Sequence, residues 1–377
     1  MCAHTFILIF ISLSFEKQSA MAGKIKIKDI AQRAGVSVGT VDRVIHNRGK
    51  VSQKTQEKVE QAMEELQYRP NVIARTLARR APTRIFALLP YPYQDLYWKK
   101  IRQGVLEGFE DYDPFDIKKH ILFYDQYDKD HFQSMFQSIL TSRTDALILG
   151  SDFQKEAIDL LQKCDQKNIP AILINAEINS APYLGFIGID TFAAGRLAGR
   201  IISSTRNLRR ILTLHIVQDI ENTNHFKNKE WGMKEILHQS DLPFSCHSMS
   251  LNPVTTSQPE MADKIIRKIQ EHNIDTLYVT NSRAHLVAPS LKKAFPELYI
   301  IGYDLVGTNI SLLRRGVINV IIDQRSHLQG YLSIKTLTDH LVLSKKIHKK
   351  QYLPLNIIYP ENIPDTPDQA TKNQTYM

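Results

Sequence analysis

Two sets of residues in this 377-residue sequence have the types and spacing for recognition chemistry. The first is basic. Between Met21 and Arg80 thirteen Lys and Arg stand against six Asp and Glu, a local +7 within the chain's net +9, so the remaining residues together carry +2. Ammonium and guanidinium groups at this density suit a polyanion, most often nucleic acid. The plain alternative is a solvated helix face. The second set is aromatic. The run PYPYQDLYW brings Tyr91, Tyr93, Tyr97 and Trp98 within eight positions. Flat apolar rings below and polar hydroxyl-binding groups around are what a sugar site needs, and Tyr91, Tyr93 and Trp98 are candidates for such rings. Packing of the same rings between lobes or protomers is the other reading.

Catalytic signatures are missing from the sequence. There is no P-loop, no G-x-G-x-x-G, no G-x-S-x-G and no H-E-x-x-H. Thirteen His are scattered without metal-ligand spacing, and Cys2, Cys164 and Cys246 are too few and too far apart for a disulfide framework or a thiolate zinc site. No apolar run reaches the roughly 18–20 residues of a membrane helix. The expectation is a protein that is not an enzyme, with no cofactor, no resident metal and no membrane partner. At 43% apolar and 23% charged residues, the chain has the balance of a globular protein, not of a disordered one.

The basic set needs a scaffold, and the local pattern supplies one. Ile27, Ile30, Ala31 and Ala34 fall on one helical face. Gly35 ends that helix, and Ser37 is a good cap for the next. Val38, Val41, Val44 and Ile45 form a second short apolar face. A third helix runs from about Ser52 to Gln67, with Val59, Ala62, Met63 and Leu66 inward, and Pro70 stops it. Two short helices around a Gly turn are the sequence form of a helix-turn-helix. Gly39, Thr40, Asp42 and Arg43 then lie on the side free to enter a major groove.

The run KIKDIAQRAGVSVGTVDRVIHNRGKVSQKTQEKVEQAMEELQYRPNVIARTLAR resembles the DNA-binding headpiece of the LacI/GalR family. Ile30-Ala31, Ala34 to Ser37, Thr40 to Val44, Val51-Ser52, Tyr68 to Asn71 and Ala74 to Ala78 carry the resemblance. It implies a homodimer on double-stranded operator DNA. Val38 and Arg43 become the base readers, Arg43 through the O6/N7 edge of guanine. Ser37, Thr40, Asn47 and Lys50 serve phosphates. Two positions depart from the family. Asp42 replaces a Ser, and Gly39 has no side chain where a base reader often stands, so the operator is read differently. NVIARTLARR resembles the family's hinge helix: Asn71 caps it, Ala74 admits its backbone to the minor groove, and Leu77 is the apolar wedge between base steps.

From Thr83 onward apolar strands alternate with helical periods about every 25–30 residues. Ile85 to Leu89, Ile117 to Tyr124, Ala146 to Leu149, Ala171 to Ile174 and Phe186 to Ile189 form one set. Ile211 to Val217, Cys246 to Leu251, Leu277 to Val279, Ile300 to Gly302 and Val317 to Ile322 form another. Such alternation gives parallel sheets with helices on both faces, and ligands of such sheets sit at the carboxyl ends of strands. The body is similar to the type I periplasmic-binding-protein fold of the LacI/GalR effector domain. That resemblance places Asn175, Glu177, Lys227, Asn281, Asp304 and Gln324 around a ligand. It also matches Asp190, Gly195, Ala198 and Gly330 to family positions.

The expected organisation is a leader at 1–20, a helix-turn-helix domain at 21–70, a hinge helix and linker at 71–82, a two-lobed α/β domain at 83–365 and a flexible tail at 366–377. FILIFISL in the leader has the look of a secretion signal, but no Lys or Arg precedes it, and Met21 makes sense as a start. The whole reads as a cytoplasmic, sequence-specific transcription regulator, a repressor controlled by a small sugar-like effector. An activator of the same build and an exported sugar-binding protein are the alternatives.

Overall fold

The computed structural model describes residues 25–45, 49, 51–66, 68, 81–205, 207–218, 224–240 and 243–363. The chain parts into two compact units after Arg75. The expected leader and tail, and Asn47, Lys50, Asn71, Ala74 and Leu77, lie outside the described residues.

The first unit is a bundle of α1 (Ile27–Ala34), α2 (Val38–Ile45) and α3 (Gln53–Glu65). Gly35 ends α1 at φ +66, a conformation that costs a side chain-bearing residue energy. Ser37 Oγ then accepts the Thr40 N–H at 3.1 Å and starts α2. Ser52 caps α3 by accepting from Thr55 N–H. Ile30, Ala31, Val41, Val59 and Ala62 form the core, with Met63 and Leu66 packed against it. Val38 departs from the expected apolar face: it is 45% exposed.

The second unit holds two six-stranded sheets. Lobe one contains β1 (Thr83–Pro90), α4 (Leu96–Glu110), β2 (Ile117–Tyr124), α5 (Lys129–Thr141), β3 (Ala146–Gly150), α6 (Gln154–Gln166), β4 (Ala171–Ile174) and β5 (Gly185–Gly188). The chain then crosses to lobe two: α7 (Thr191–Ser204), β6 (Arg210–Ile216), α8 (Asn224–His238), β7 (Ser245–Leu251), α9 (Gln258–His272), β8 (Thr276–Val279), α10 (Ala288–Ala294), β9 (Tyr299–Tyr303), α11 (Gly307–Arg314) and β10 (Val320–Asp323). It returns with α12 (Ser326–Leu343) and β11 (Lys350–Tyr352) to lobe one, and ends with β12 (Asn356–Ile358) in lobe two. The sheet orders are β11-β5-β4-β3-β1-β2 and β12-β10-β9-β8-β6-β7. All pairings are parallel except β10 with β12. Both faces of each sheet carry an apolar core, which is why the central strands read as continuous apolar runs.

All ten expected strands are present. The last is shorter than expected: Val317 and Ile318 both turn back to hydrogen-bond Leu312 O, so the strand begins at Val320. The edge strands β11 and β12 were not anticipated, since three residues are too few to show a period.

Glycines let the crossover helices sit against their neighbours at backbone distance. A Cβ on Gly104 of α4 would stand 1.9 Å from His327 O of α12, and one on Gly330 of α12 would stand 2.2 Å from Ile101 O of α4. Lobe two repeats the device: Gly195 of α7 would meet Lys229 O of α8 at 2.0 Å, and Gly232 of α8 would meet Phe192 O of α7 at 2.1 Å. Carbonyl oxygens at these distances cannot rotate away as a side chain would. Gly104→Ala is therefore expected to lower unfolding stability by about 2 kcal/mol or more. Gly307→Ala, with nothing within 4 Å, should change it by under about 0.5 kcal/mol. Urea unfolding of the two variants measures the difference.

Candidate functional site

A cleft of about 650 Å³ opens between the two lobes of the second unit, lined from both. It collects residues just beyond strand carboxyl ends: Trp98 from the start of α4, Gln126 and Tyr127 after β2, Asp152 after β3, Asn175 after β4, Asn281 to Arg283 after β8, Asp304 after β9 and Gln324 after β10. Helix α8 adds His225, Phe226 and Lys229. Asn175 and Asp304 stand at φ +69 and +65. Left-handed backbone at a strand end costs on the order of 1 kcal/mol for such residues and recurs where a side chain is aimed at a ligand.

The floor is a network of buried charge. Asp304 is 1% exposed. Its Oδ2 accepts from Gln324 Nε2 at 2.8 Å, while its Oδ1 has no partner among the described residues. Lys229, 2% exposed, donates to Thr280 O at 2.9 Å and to Gln324 Oε1 at 3.0 Å, and its ammonium lies 3.8 Å from the centre of the Tyr303 ring. Burial pushes the Asp304 carboxyl up, as does the neighbouring Asp323, while Lys229 pulls it down. Burial pushes the Lys229 ammonium below its usual range, and Asp304 pulls it back. His225 is driven to about 3 by burial and then by Lys229 and His215, so it is neutral here. Behind Lys229, His215 bridges Thr280 Oγ1 and Glu230 Oε2, each at 2.9 Å. Burial works against an ionised Glu230, but hydrogen bonds from His215, Lys234 and Ser248 outweigh it and hold the carboxyl at about 2.

One side of the cleft is bridged by the protein itself. Asp95 of lobe one caps α4 at Tyr97 N–H and accepts from Ser282 Oγ at 2.8 Å and Arg283 Nε at 3.1 Å, both from lobe two. Arg283 also donates to Ile216 O at 2.9 Å and to Gln126 Oε1 at 3.1 Å. Gln126 Nε2 is left buried without a partner among the described residues. Asp304 Oδ1 and Gln126 Nε2 are thus a buried acceptor and a buried donor without partners among the described residues, on two side chains that both line the cleft. Burying such groups unpaired costs about 1–3 kcal/mol each, and a hydroxyl, which both donates and accepts, suits either. Asp152 adds a carboxyl raised by burial to about 6.

Of the residues expected around a ligand, Trp98, Asn175, Asn281, Asp304 and Gln324 line this cleft. Four expected ligand residues do not. Tyr91 stacks on Tyr93 and Phe123 beside the β2 edge, with ring centres 5.0 and 6.2 Å apart. Tyr93 is 73% exposed. Glu177 is taken by Tyr183 Oη, Lys350 Nζ and Tyr352 Oη, two of them from β11, the strand not anticipated. Lys227 faces away because His225, Phe226 and Lys229 define the cleft side of α8, and 227 is about 200° round the helix from 229. Sequence reasoning missed Asp95, Gln126, Tyr127, Asp152, Lys229 and Arg283. Counting the helical period on from Phe226 would have found Lys229, and an Asp before LYW reads as a helix cap. Nothing local marks Arg283. Asn281, in turn, spends its amide on Ile216 O and its carbonyl on Arg283 N–H.

On the first unit, Ser37, Gly39 and Arg43 of the helix-turn-helix are exposed, and Thr40 and Asp42 are half-buried. Ser37 Oγ and Thr40 Oγ1 lie 2.9 Å apart.

The family model of the periplasmic binding protein domain matches residues 86–346, and that of bacterial regulatory proteins of the lacI family matches residues 26–71. The chain is 27% identical over 285 residues to the sucrose operon repressor of Streptococcus mutans, covering 74% of this chain and 82% of that protein. It is 22% identical over 346 residues to the HTH-type transcriptional regulator MalR of Streptococcus pneumoniae, covering 85% and 99%. Among solved structures, a Bacteroides fragilis protein described as a LacI transcriptional regulator aligns with TM-score 0.70 at 25% identity, over 74% of this chain and 98% of that one. GanP, a glucose-galactose binding protein of Geobacillus stearothermophilus, aligns with TM-score 0.64 at 18% identity, over 76% and 100%, a likeness of fold.

Two outcomes follow from the buried charges. Asp95→Asn leaves Arg283 buried and uncompensated, and should cost about 3 kcal/mol in urea unfolding, with Asp95→Asn/Arg283→Gln costing less than the two single changes together. Glu230 is held at about 2 against an ordinary 4.5. A depressed carboxyl stabilises the fold above its unfolded value and loses that contribution as pH falls from about 4.5 through about 2. Glu230→Gln should therefore flatten the acid limb of a stability-against-pH curve.

Proposed function

Since the chain belongs to the lacI family of bacterial regulatory proteins, with a periplasmic-binding-protein domain as its body, it is a DNA-binding transcription regulator, and we propose that it is a repressor whose hold on its operator is set by a sugar-like effector in the cleft between the lobes. The observation that carries the effector assignment is that Asp304 Oδ1 and Gln126 Nε2, a buried acceptor and a buried donor without partners among the described residues, belong to two side chains lining one cleft. Trp98, Tyr127 and Phe226 supply flat apolar surface around them. Carboxyls outnumber the unengaged bases at the floor, which favours a neutral polyhydroxyl compound over a phosphorylated one.

On the DNA side, Arg43 and Val38 present themselves to base edges, and Ser37 and Thr40 to phosphates. Asn47, Lys50, Asn71, Ala74 and Leu77 complete the proposed contacts through the loop and hinge. Binding as a homodimer to a two-fold site follows from the single short recognition helix per chain. A DNA reader of this kind works in the cytoplasm. The effector acts by binding one arrangement of the lobes better than another, and it shifts DNA affinity only by that difference. The reading assigns no reaction to the protein.

Operator fragments selected from a random duplex pool by the full chain, combined with thermal-shift screening of neutral mono- and disaccharides and their phosphates, test the proposal. Arg43→Ala should abolish discrimination between selected and random duplex while leaving the sugar-induced shift intact. Asp304→Asn should do the reverse, removing the shift and the effector response while operator affinity stays within about twofold. A chain whose operator binding ignores every sugar that stabilises it would refute the coupling.

A further inference from the structure

The loop between α12 and β11, with the first residue of β11, reads Lys345, Lys346, Ile347, His348, Lys349 and Lys350, four ammonium groups and an imidazole in six positions. It belongs to a body that, with its tail, carries a net charge of only +2 over residues 81–377, so this is a local concentration.

The loop is held firmly. Ser344 closes α12 in the left-handed conformation, Ile347 packs against the core of lobe one, and Lys349 O accepts the Phe186 N–H at 3.0 Å. With Ile347 directed inward, Lys346 and His348 on either side are exposed, and neither has a hydrogen-bond or ion-pair partner among the described residues. Lys345 reaches Asp339 at 2.8 Å while staying 57% exposed. A shallow cavity of about 140 Å³ lies beside Lys345, Lys346 and His348.

Topology fixes which end of the lobe this is. Strand β11 runs parallel to β5, β4, β3 and β1, so the loop preceding it lies at the same sheet end as Thr83, where the chain arrives from the DNA-binding unit. Four strand spacings separate β11 from β1, about 19 Å. The basic loop and Thr83, the first residue of β1, thus share one end of the lobe-one sheet. Acidic groups there are partly spent: Asp113 pairs with Lys119, and Asp145 accepts the Arg84 N–H.

We propose that the 345–350 loop of the effector body binds the phosphate backbone of the DNA duplex that the helix-turn-helix holds, through Lys345 and Lys346. The inference rests on the DNA-regulator reading above. It makes the body a second, sequence-independent DNA-binding surface.

The test measures binding of the full chain to a random-sequence 40-base-pair duplex by fluorescence anisotropy over a series of NaCl concentrations. Each lysine that displaces a counterion contributes about 0.9 to the slope of log affinity against log salt. Lys345→Gln/Lys346→Gln should lower that slope by about 1–2 and weaken binding at 0.1 M salt about tenfold or more. Lys264→Gln/Arg267→Gln removes equal charge from exposed positions on α9 of lobe two and should leave the slope unchanged. Equal losses in both variants reduce the effect to net charge and overturn the loop contact. An unchanged slope in the first variant does the same, as does a loss seen with polyglutamate but not with DNA. A parent chain that binds no duplex at all overturns the DNA-regulator reading together with this one.

Discussion

Close approach of helix backbones at reciprocal glycines is the constraint on which the body depends. Where Gly104 faces His327 O and Gly330 faces Ile101 O, α12 lies directly on α4. Where Gly195 faces Lys229 O and Gly232 faces Phe192 O, α7 lies directly on α8. In each pair one helix has just crossed between lobes, and the other carries cleft residues. Asp95 and Trp98 are placed by α4, and Lys229 by α8. A carbonyl cannot yield to an added methyl as a flexible side chain can, so these contacts fix helix height and rotation together. Lys229 is itself the residue whose carbonyl Gly195 touches. The anchor of α8 and the charge at the cleft floor are one residue.

Given those fixed helices, the cleft collects charge that the fold would otherwise avoid burying. Lys229, Asp304, Arg283 and Asp95 are tolerable only because each is hydrogen-bonded within the protein. The Asp95–Arg283 pair spans the lobes, so an interaction that neutralises buried charge also bears on how far the lobes open. Among the described residues, the buried polar atoms left without a partner on cleft-lining side chains are Asp304 Oδ1 and Gln126 Nε2. That division between structural and unpartnered polar groups is the basis of the proposed preference for a neutral, hydroxyl-bearing guest.

How much of this the sequence disclosed follows from the range of the interaction involved. The three helices of the DNA-binding unit were legible because a 3.6-residue period, a left-handed Gly35 and the caps Ser37 and Ser52 are codes read within a few residues. The ten longer strands were legible because burial on both faces leaves an uninterrupted apolar run. That Asn175, Asp304 and Gln324 line the cleft was legible because strand ends are where such folds bind ligands. Tyr91 and Tyr93 misled because aromatic density does not say which way a ring turns after the strand ends. Lys227 misled because two lysines two residues apart on a helix differ by more than half a turn.

Alone, then, the sequence determined the ten longer strands, the helix-turn-helix and the concentration of positive charge before residue 80, since these rest on backbone preferences and side-chain periodicity near each residue. Only the tertiary structure decided which polar groups meet. Arg283 finds Asp95 188 positions away, Glu177 is consumed by an edge strand of three residues, and Lys229 is brought under Thr280 and Gln324. Partners of that kind are set by which strands lie side by side and by how closely glycines let the helices approach, and neither is written in the neighbourhood of the residues concerned.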